Sequence, residues 1–508
     1  MDQVIDLPLV LLGEKIEIDG QTDVETISYE SGLTIRLPKV TPEHIEKLRQ
    51  SSNSELKKMS LPEITIFLQK VGYLWQNPDY ELRKKAIEIS SKITGFDECF
   101  IARDFDVITG YAATRPEMFD QINAELGSYH ILDEWLPREE CYHHAEPRGK
   151  VFHVMVGNIP IASMFSVIRG ILTKNMNIAK LPSRDVSSYL FFILSFLDVD
   201  PNHPITKSLS ALYWTRGNSE IEDPIIQMSD VVCVWGGEEA VNAIKPKIPS
   251  KTEFIEFGPK RSLSIIDLDR TDDYFKTACR LACDMSIYNQ EACFSSQIAF
   301  IKGGRVDEFI ENLKYWLDIN SKRWPKGFMS FDNNAHISIN KLKEIFSGHQ
   351  VITSKDNEWC LIKCNDINYK PTHPLGRTMY IYVIDDILQV MNFIDREVQT
   401  AGVFPWEVGF EYKDKFAEQG LDRICELGAH TLPRVGFSHD SILPLSRMVR
   451  IISLERSIAY KGKYLDYTPE DEYLYFGYYT NEDELKKLLQ ERVLPNNSFI
   501  IPKGFLDE

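Results

Sequence analysis

Between residues 150 and 197 the chain twice alternates a short apolar run with a longer amphipathic one, and that alternation limits the fold more than any other feature. Residues 151–156 (VFHVMV) are apolar and rich in valine, as suits a strand covered on both faces. Gly157-Asn158-Ile159-Pro160 breaks the run, and Pro160 suits a first helical position, where its missing N–H costs nothing. Ile161, Phe165, Ile168 and Leu172 then recur at helical spacing. Residues 177–181 (NIAKL) read as a second strand, Pro182-Ser183-Arg184-Asp185 as its end, and the stretch beyond as a second helix. Such a βαβα unit predicts a doubly wound parallel sheet with ligands at the carboxyl ends of its strands. A further strand at 230–235 runs into Gly236-Gly237, and Glu238-Glu239 follow where acidic side chains favour the start of a helix.

A second cycle begins near residue 261. Residues 262–268 read as a strand, and Phe275, Ala278, Leu281, Ala282 and Met285 as one helix face. Asn289-Gln290-Glu291-Ala292-Cys293 is a polar turn, 297–301 (QIAFI) another strand, and Val306, Phe309, Ile310, Leu313, Trp316 and Leu317 the stripe of a second helix. The fold class is therefore α/β with two doubly wound parallel-sheet domains. A chain of 508 residues is too long for one core and fits two such units plus a mixed tail. Residues 1–110 read as short strands at 15–18 and 33–37 and then helices from about 41 to 94, with Ile64, Phe67, Leu68 and Val71 on one face.

Charge and cysteine usage exclude other classes. The 57 Lys and Arg stand against 75 Asp and Glu, a net charge of −18, which does not suit a partner of phosphates in nucleic acid. The longest apolar run, residues 189–197 (YLFFILSFL), is far shorter than the roughly 20 residues of a membrane span. Acidic residues occupy the N-terminus where a signal peptide would be basic, so the expectation is a cytoplasmic protein. Nine cysteines without a C-x-x-C pair do not read as a disulfide scaffold or a zinc site. Cys141, His143, His144 and Glu146 read as a solvated loop, and no metal is expected.

Several residues carry chemistry if the fold brings them together. Most free cysteines are small buried hydrophobes. Cys293, however, follows a polar turn whose backbone N–H groups can lower a thiol pKa and donate to an oxyanion. Glu256, in IEFGPK, is either a surface charge or a partly buried proton acceptor. Asn158 is either a turn residue or an amide aimed at an oxyanion. Lys180, Ser183 and Arg184 offer two cations and a hydroxyl at a strand end. No G-x-G-x-x-G is present, so the ordinary dinucleotide fingerprint is missing.

Together these pieces resemble the aldehyde dehydrogenase superfamily, and within it the LuxC-type long-chain fatty acyl reductases. The resemblance rests on four collinear blocks: 147–185 (PRGKVFHVMVGNIPIASMFSVIRGILTKNMNIAKLPSRD), 234–240 (VWGGEEA), 256–262 (EFGPKRS) and 282–297 (ACDMSIYNQEACFSSQ). A weaker fifth is Leu432-Pro433-Arg434-Val435-Gly436. It implies an aldehyde-dehydrogenase-like fold with a small oligomerisation element. It also implies Cys293 as the acylated nucleophile, Asn158 as the oxyanion amide and Glu256 as the base of hydrolysing members. Lys180 and Ser183 then match the adenosine-ribose contacts, and Gly236-Gly237 stand where the superfamily has Gly-Ser at the pyrophosphate and nicotinamide. The E-x-F-G-P segment, whose Glu holds the nicotinamide ribose in the superfamily, is missing, with Pro374-Leu375-Gly376-Arg377-Thr378 in its place.

The resemblance implies NADPH-dependent reduction of a fatty acyl group, delivered by acyl-CoA, an acyl-adenylate or an acyl-protein, to an aldehyde through a thioester on Cys293. A homo-oligomer and an acyl-protein synthetase partner are implied too. NADPH is expected over NADH because Lys180 and Arg184 can reach a 2′-phosphate and no acid stands at the strand end, Asp185 serving the next helix as an N-cap. The expected division is 1–110 packing on the cofactor domain, 111–260 for the nucleotide, 261–440 for the nucleophile, and 441–508 returning to the cofactor domain and the oligomer interface. An oxidising aldehyde dehydrogenase is the first rival reading. A non-catalytic acyl carrier or scaffold is the second.

Overall fold

The apolar runs become the middle strands of two sheets. The computed structural model describes residues 3–456, without the side chains of 160–163. In the first sheet the strand order is Glu253–Phe257, Val231–Trp235, Lys150–Val154, Met176–Lys180, Leu209–Leu212, Leu9–Leu11 and Glu14–Ile16. The first five are parallel, and Leu9–Leu11 pairs antiparallel with Leu209–Leu212, so the start of the chain extends this sheet. All five residues of Val231–Trp235 are buried, as continuous apolar sequence with helices on both faces demands.

The helix Pro160–Leu172 follows the first of these strands and Ser188–Val199 the second. The longest apolar run in the chain is thus a buried helix, its residues Ser188 to Phe196 shielded from water. N-terminal helices cover it: Trp75 Nε1 donates to Ser195 Oγ (2.8 Å), and Ser90 Oγ shares hydrogen bonds with Ser187 Oγ (2.8 Å) and Ser188 Oγ (2.9 Å). No helix among the described residues is long and apolar enough to cross a membrane. The sequence reading did not mark Glu98–Ala113 as a helix. Asp97 caps it through the Cys99 N–H (3.0 Å), and it turns Phe100, Phe105 and Ile108 inward.

The second sheet runs Gln350–Thr353, Cys360–Lys363, Thr378–Ile384, Ser296–Lys302, Arg261–Asp267, Val398–Phe404 and Arg423–Glu426. Only the Gln350–Thr353 edge is antiparallel. Its covering helix Tyr274–Ser286 buries Tyr274, Ala278, Leu281, Ala282 and Met285, whereas Phe275 is 47% exposed. The expected inward face was therefore one residue off at its first turn. Phe275 instead stacks outside on Trp316 (4.9 Å between centroids), whose indole N–H donates to the Phe275 carbonyl (2.9 Å).

By contact the chain separates into residues 1–129 with 147–450, which hold both large sheets, and residues 130–146 with 451–508. In the smaller unit Leu136–Pro137 pairs antiparallel with Cys141–Pro147, and Trp135 stacks on His144. Cys141, His143 and His144 thus lie on a strand, not in the solvated loop the sequence suggested. No group of metal-ligating side chains forms among the described residues. The strand Val449–Glu455 completes this three-stranded sheet, and the rest of the expected C-terminal segment, 457–508, lies outside the described residues.

Candidate active site

The nucleophile candidate is presented by a turn that polar side chains hold in an unusual backbone conformation. Tyr288, Asn289 and Gln290 take φ of 58°, 50° and 67°. Such left-handed conformations cost non-glycine residues about 1–2 kcal/mol each, so they persist only where neighbours enforce them. Gln290 does so from a fully buried site: its Nε2 donates to the carbonyls of Ser296 (2.8 Å) and Thr378 (2.7 Å), and its Oε1 accepts from the Thr378 N–H (2.8 Å). Asn289 Nδ2 donates to the Lys326 carbonyl (2.8 Å), and its Oδ1 accepts from Nε of the fully buried Arg377 (2.8 Å). Tyr288 donates to Asp104 (2.5 Å). Arg377 and Thr378 end the segment that replaces E-x-F-G-P, so in this chain that segment braces the cysteine turn.

Cys293 and Asn158 both face a cavity of about 450 Å³ walled largely by apolar side chains, Gly236 and Gly237 among its lining. Four of the eight residues singled out in the sequence therefore meet. Gln399 Nε2 donates to Cys293 Sγ (3.2 Å) and to Asp440 Oδ1 (2.5 Å), and Ser262 Oγ donates to the Cys293 carbonyl (2.8 Å). The thiol is not poised low, as the turn alone suggested. Burial, reinforced by the charge of Asp440, pushes it up to about 12 against the opposing hydrogen bonds from Gln399 and the backbone. Burial also raises Asp440 to about 6, with Gln399 and Lys260 working the other way.

Asn158 Nδ2 donates to the Glu291 carbonyl (2.8 Å), while its buried Oδ1 has no hydrogen-bond partner among the described residues. Asn158 stands two residues before Pro160, the first residue of the following helix. Gly236 holds φ 153°, and a Cβ added at Gly237 would meet nothing within 4 Å. Open space therefore lies over this backbone, which fits the nucleotide contact expected of it.

The other four lie elsewhere. Glu256 is not a cavity residue. It alternates with the buried Ile255 and Phe257, so the pleat turns it to the opposite face, where its Oε2 accepts from Lys245 Nζ (2.9 Å). Lys180 pairs with Glu222 (2.6 Å) and lies 5.0 Å from the centre of the Trp214 ring. An acid thus does stand beside the strand end, supplied by the helix Ser219–Met228, contrary to the sequence expectation. Burial works against ionising Glu222, but Lys180 outweighs it and holds the carboxyl below its usual range. Ser183 is exposed and its carbonyl accepts from Tyr29. Arg184 pairs with Glu291 and is not a free cation for a phosphate. Asp185 accepts from the Ser187 and Ser188 N–H groups just ahead of the helix, but the N-cap itself is Ser187 and not Asp185 as expected.

Sequence reasoning missed Glu291, Arg169, Gln399 and Asp440, all of them at or beside this cavity. A glutamine inside the mostly apolar strand Val398–Phe404 was a usable signal, because a buried amide must find partners. Arg169 and Asp440 gave none, since only tertiary structure brings them here.

The acyl-CoA reductase (LuxC) family matches residues 56–451. A long-chain acyl-protein thioester reductase of Photorhabdus laumondii is 35% identical over 457 residues, 89% of this chain and 94% of that protein. One of Aliivibrio fischeri is 33% identical over 479 residues, 92% of this chain and 99% of its own length. Among solved structures, aldehyde dehydrogenase 21 from Physcomitrella patens superposes with a TM-score of 0.67 at 14% identity, covering 89% of this chain and 98% of that one. An NADP-dependent glyceraldehyde-3-phosphate dehydrogenase from Bacillus halodurans, complexed with NADP, gives a TM-score of 0.67 at 14% identity, covering 89% and 100%. These structures share the aldehyde-dehydrogenase-like fold, two parallel-sheet α/β units with a small antiparallel sheet. The chain belongs to the acyl-CoA reductase (LuxC) family and is an oxidoreductase that reduces a fatty acyl thioester to an aldehyde.

Proposed function

We propose that this reduction runs through an acyl-enzyme on Cys293 and draws on NADPH. The observation that carries the reading is the meeting of Cys293, Asn158 and Gly236-Gly237 around one apolar cavity. Attack forms a bond from Sγ to the acyl carbon and breaks the bond to the donor sulfur, which leaves as a thiol with the proton Cys293 gives up. Covalent capture splits one difficult step into two. The Gln399 N–H on Sγ favours the thiolate over the thiol. Asn158 can exchange the Glu291 carbonyl for the developing oxyanion by turning its amide. Bound nicotinamide would supply the hydride, held over Gly236-Gly237. The surface placement of Glu256 supports reduction over the hydrolytic rival, since that carboxylate does not reach water in the cavity.

For NADPH, the support is the lysine at the strand end. Lys180 pairs with Glu222 (2.6 Å), while Lys247 pairs with Asp223 (2.8 Å) and more distantly with Glu222 (3.5 Å), so Lys180 can exchange its carboxylate partner for a 2′-phosphate. We assign 111–260 to the nucleotide, 261–440 to the nucleophile, 1–110 to covering the former, and 441–508 to assembly. The relatives' names point to an acyl-protein donor, which makes an acyl-protein synthetase the fitting partner, beside a homo-oligomer working in the cytoplasm. Intact mass spectrometry after incubation with a fatty acyl-CoA, without NADPH, tests the reading. A hydroxylamine-labile adduct mapped to Cys293 supports it, and an adduct on another cysteine overturns it.

A further inference from the structure

One charge in the cavity makes no ion pair among the described residues. Arg169 lines it from the helix Pro160–Leu172, nine residues past the helix start and so about 14 Å along the axis from the Asn158 turn. The residue is 5% exposed, and its Nε and Nη1 atoms are buried with no hydrogen-bond partner among the described residues. Its surroundings explain why. Gln121 Nε2 donates to Glu125 Oε1 (3.2 Å), and Glu125 Oε2 accepts from the Leu445 and Ser446 N–H groups (2.7 and 3.2 Å). Tyr111 donates to Gln121. The polar groups on this wall are thus committed to one another, and Glu117 lies on the exposed rim. Lys260, the cavity's other enclosed cation, already pairs with Asp422 (2.9 Å).

A guanidinium withdrawn from water with donors unused is unfavourable, and a planar oxyanion matches its fork. We propose that Arg169 is the anion-binding group of this cavity and takes a carboxylate or phosphate that the substrate carries. Two sources present that chemistry at a distance from the reacting carbonyl. One is a carboxylate at the end of an alkyl chain; the other is the phosphate of a phosphopantetheine thiol. The direction of the ligand rests on reading the cavity as the acyl site, but anion binding at Arg169 does not. The net charge of −18 repels anions in general, so selective uptake here reports a local site.

Calorimetry on the full chain tests this with two matched probe pairs, dodecanoate against dodecanol and phosphopantetheine against pantetheine. The expected result is at least a tenfold tighter Kd for the anionic member of one pair, levelled in Arg169→Met and Arg169→Gln. Levelling of the first pair assigns a chain-end carboxylate, and of the second the donor phosphate. Two neutral variants guard against one that does not fold, with cooperative melting as the criterion. The proposal is overturned if the wild type discriminates within neither pair, or if discrimination survives in a folded variant. Repeating the titrations in Cys293→Ala separates the two readings. Anion selectivity that persists there, beside failed acyl labelling of the wild type, would remove the acyl-enzyme and leave the anion site.

Discussion

The two ends of the site settle their charges in opposite ways. At the strand ends of the first sheet each candidate charge already has a partner: Lys180 with Glu222, Arg184 with Glu291, Glu256 with Lys245. In the cavity, Asn158 Oδ1 and two nitrogens of Arg169 have none among the described residues. Buried polar groups are normally satisfied, so groups left open on a cavity wall are ones that a ligand entering the cavity can complete. The paired end is built to stand on its own and to tune a contact; the open end is built to be filled. Substitutions at the open end should therefore change chemistry, and those at the paired end should change preference.

The largest effect is expected at Cys293. Cys293→Ala should abolish both the acyl adduct and aldehyde formation, with a melting temperature close to the parent's, because a half-buried thiol contributes little to packing. A variant that melts lower yet turns over normally would make Cys293 a core residue instead. Asn158→Ala should come next. It removes one oxyanion donor, worth about 2.7–4 kcal/mol in other such sites, so turnover should fall about 10²–10³-fold while labelling slowly reaches completion. An unchanged rate would leave Asn158 as the residue that holds the Glu291 carbonyl and nothing more.

How much of this was legible follows from where each signal resides. Asn158 and Gly236-Gly237 sit in turns directly after strands and Cys293 in the turn between a helix and a strand, and such patterns are written in consecutive residues. The polar turn before Cys293 was visible, but its purpose was not. Its amides brace left-handed backbone through Thr378 and Lys326, whose approach sequence does not announce. Glu256 was misplaced although the remedy lay in its neighbours. Ile255 and Phe257 mark the buried face by period two, which turns the residue between them away. Lys180 was read without Glu222, which lies 42 residues further along the chain. Sequence separation hides pairing of that kind.

At the paired end the expected effect is about tenfold. Lys180→Ala should lower the ratio of kcat/KM for NADPH over NADH by about tenfold, the scale of one charge-assisted contact of about 1.5 kcal/mol or more. Glu222→Gln should move the ratio the other way, because it removes the acid paired with Lys180. A ratio that neither variant alters would place the 2′-phosphate elsewhere and make the Lys180–Glu222 pair purely structural.

The smallest effect concerns pH and the Asp440 carboxylate behind Cys293. Above about 6 this carboxyl is ionised, and its charge is the second cause, after burial, that lifts the thiol to about 12. Asp440→Asn keeps a carbonyl oxygen for the Gln399 N–H but removes the charge. The alkaline limb of adduct formation should therefore shift to lower pH, by a fraction of a unit to about one unit. Stability provides an independent sign. Burial raises Asp440 above its ordinary 3.8, so the folded state holds the proton more tightly than the unfolded chain does. Its contribution is then fully present below about 3.8 and lost as pH rises through about 6. Asp440→Asn should flatten the fall in melting temperature across that window and be relatively more stable at pH 8 than at pH 4. If the alkaline limb stays put while the melting profile flattens, Asp440 is buried as described but does not act on the thiol. The Gln399 bridge would then serve to hold Cys293 in place and not to set its charge.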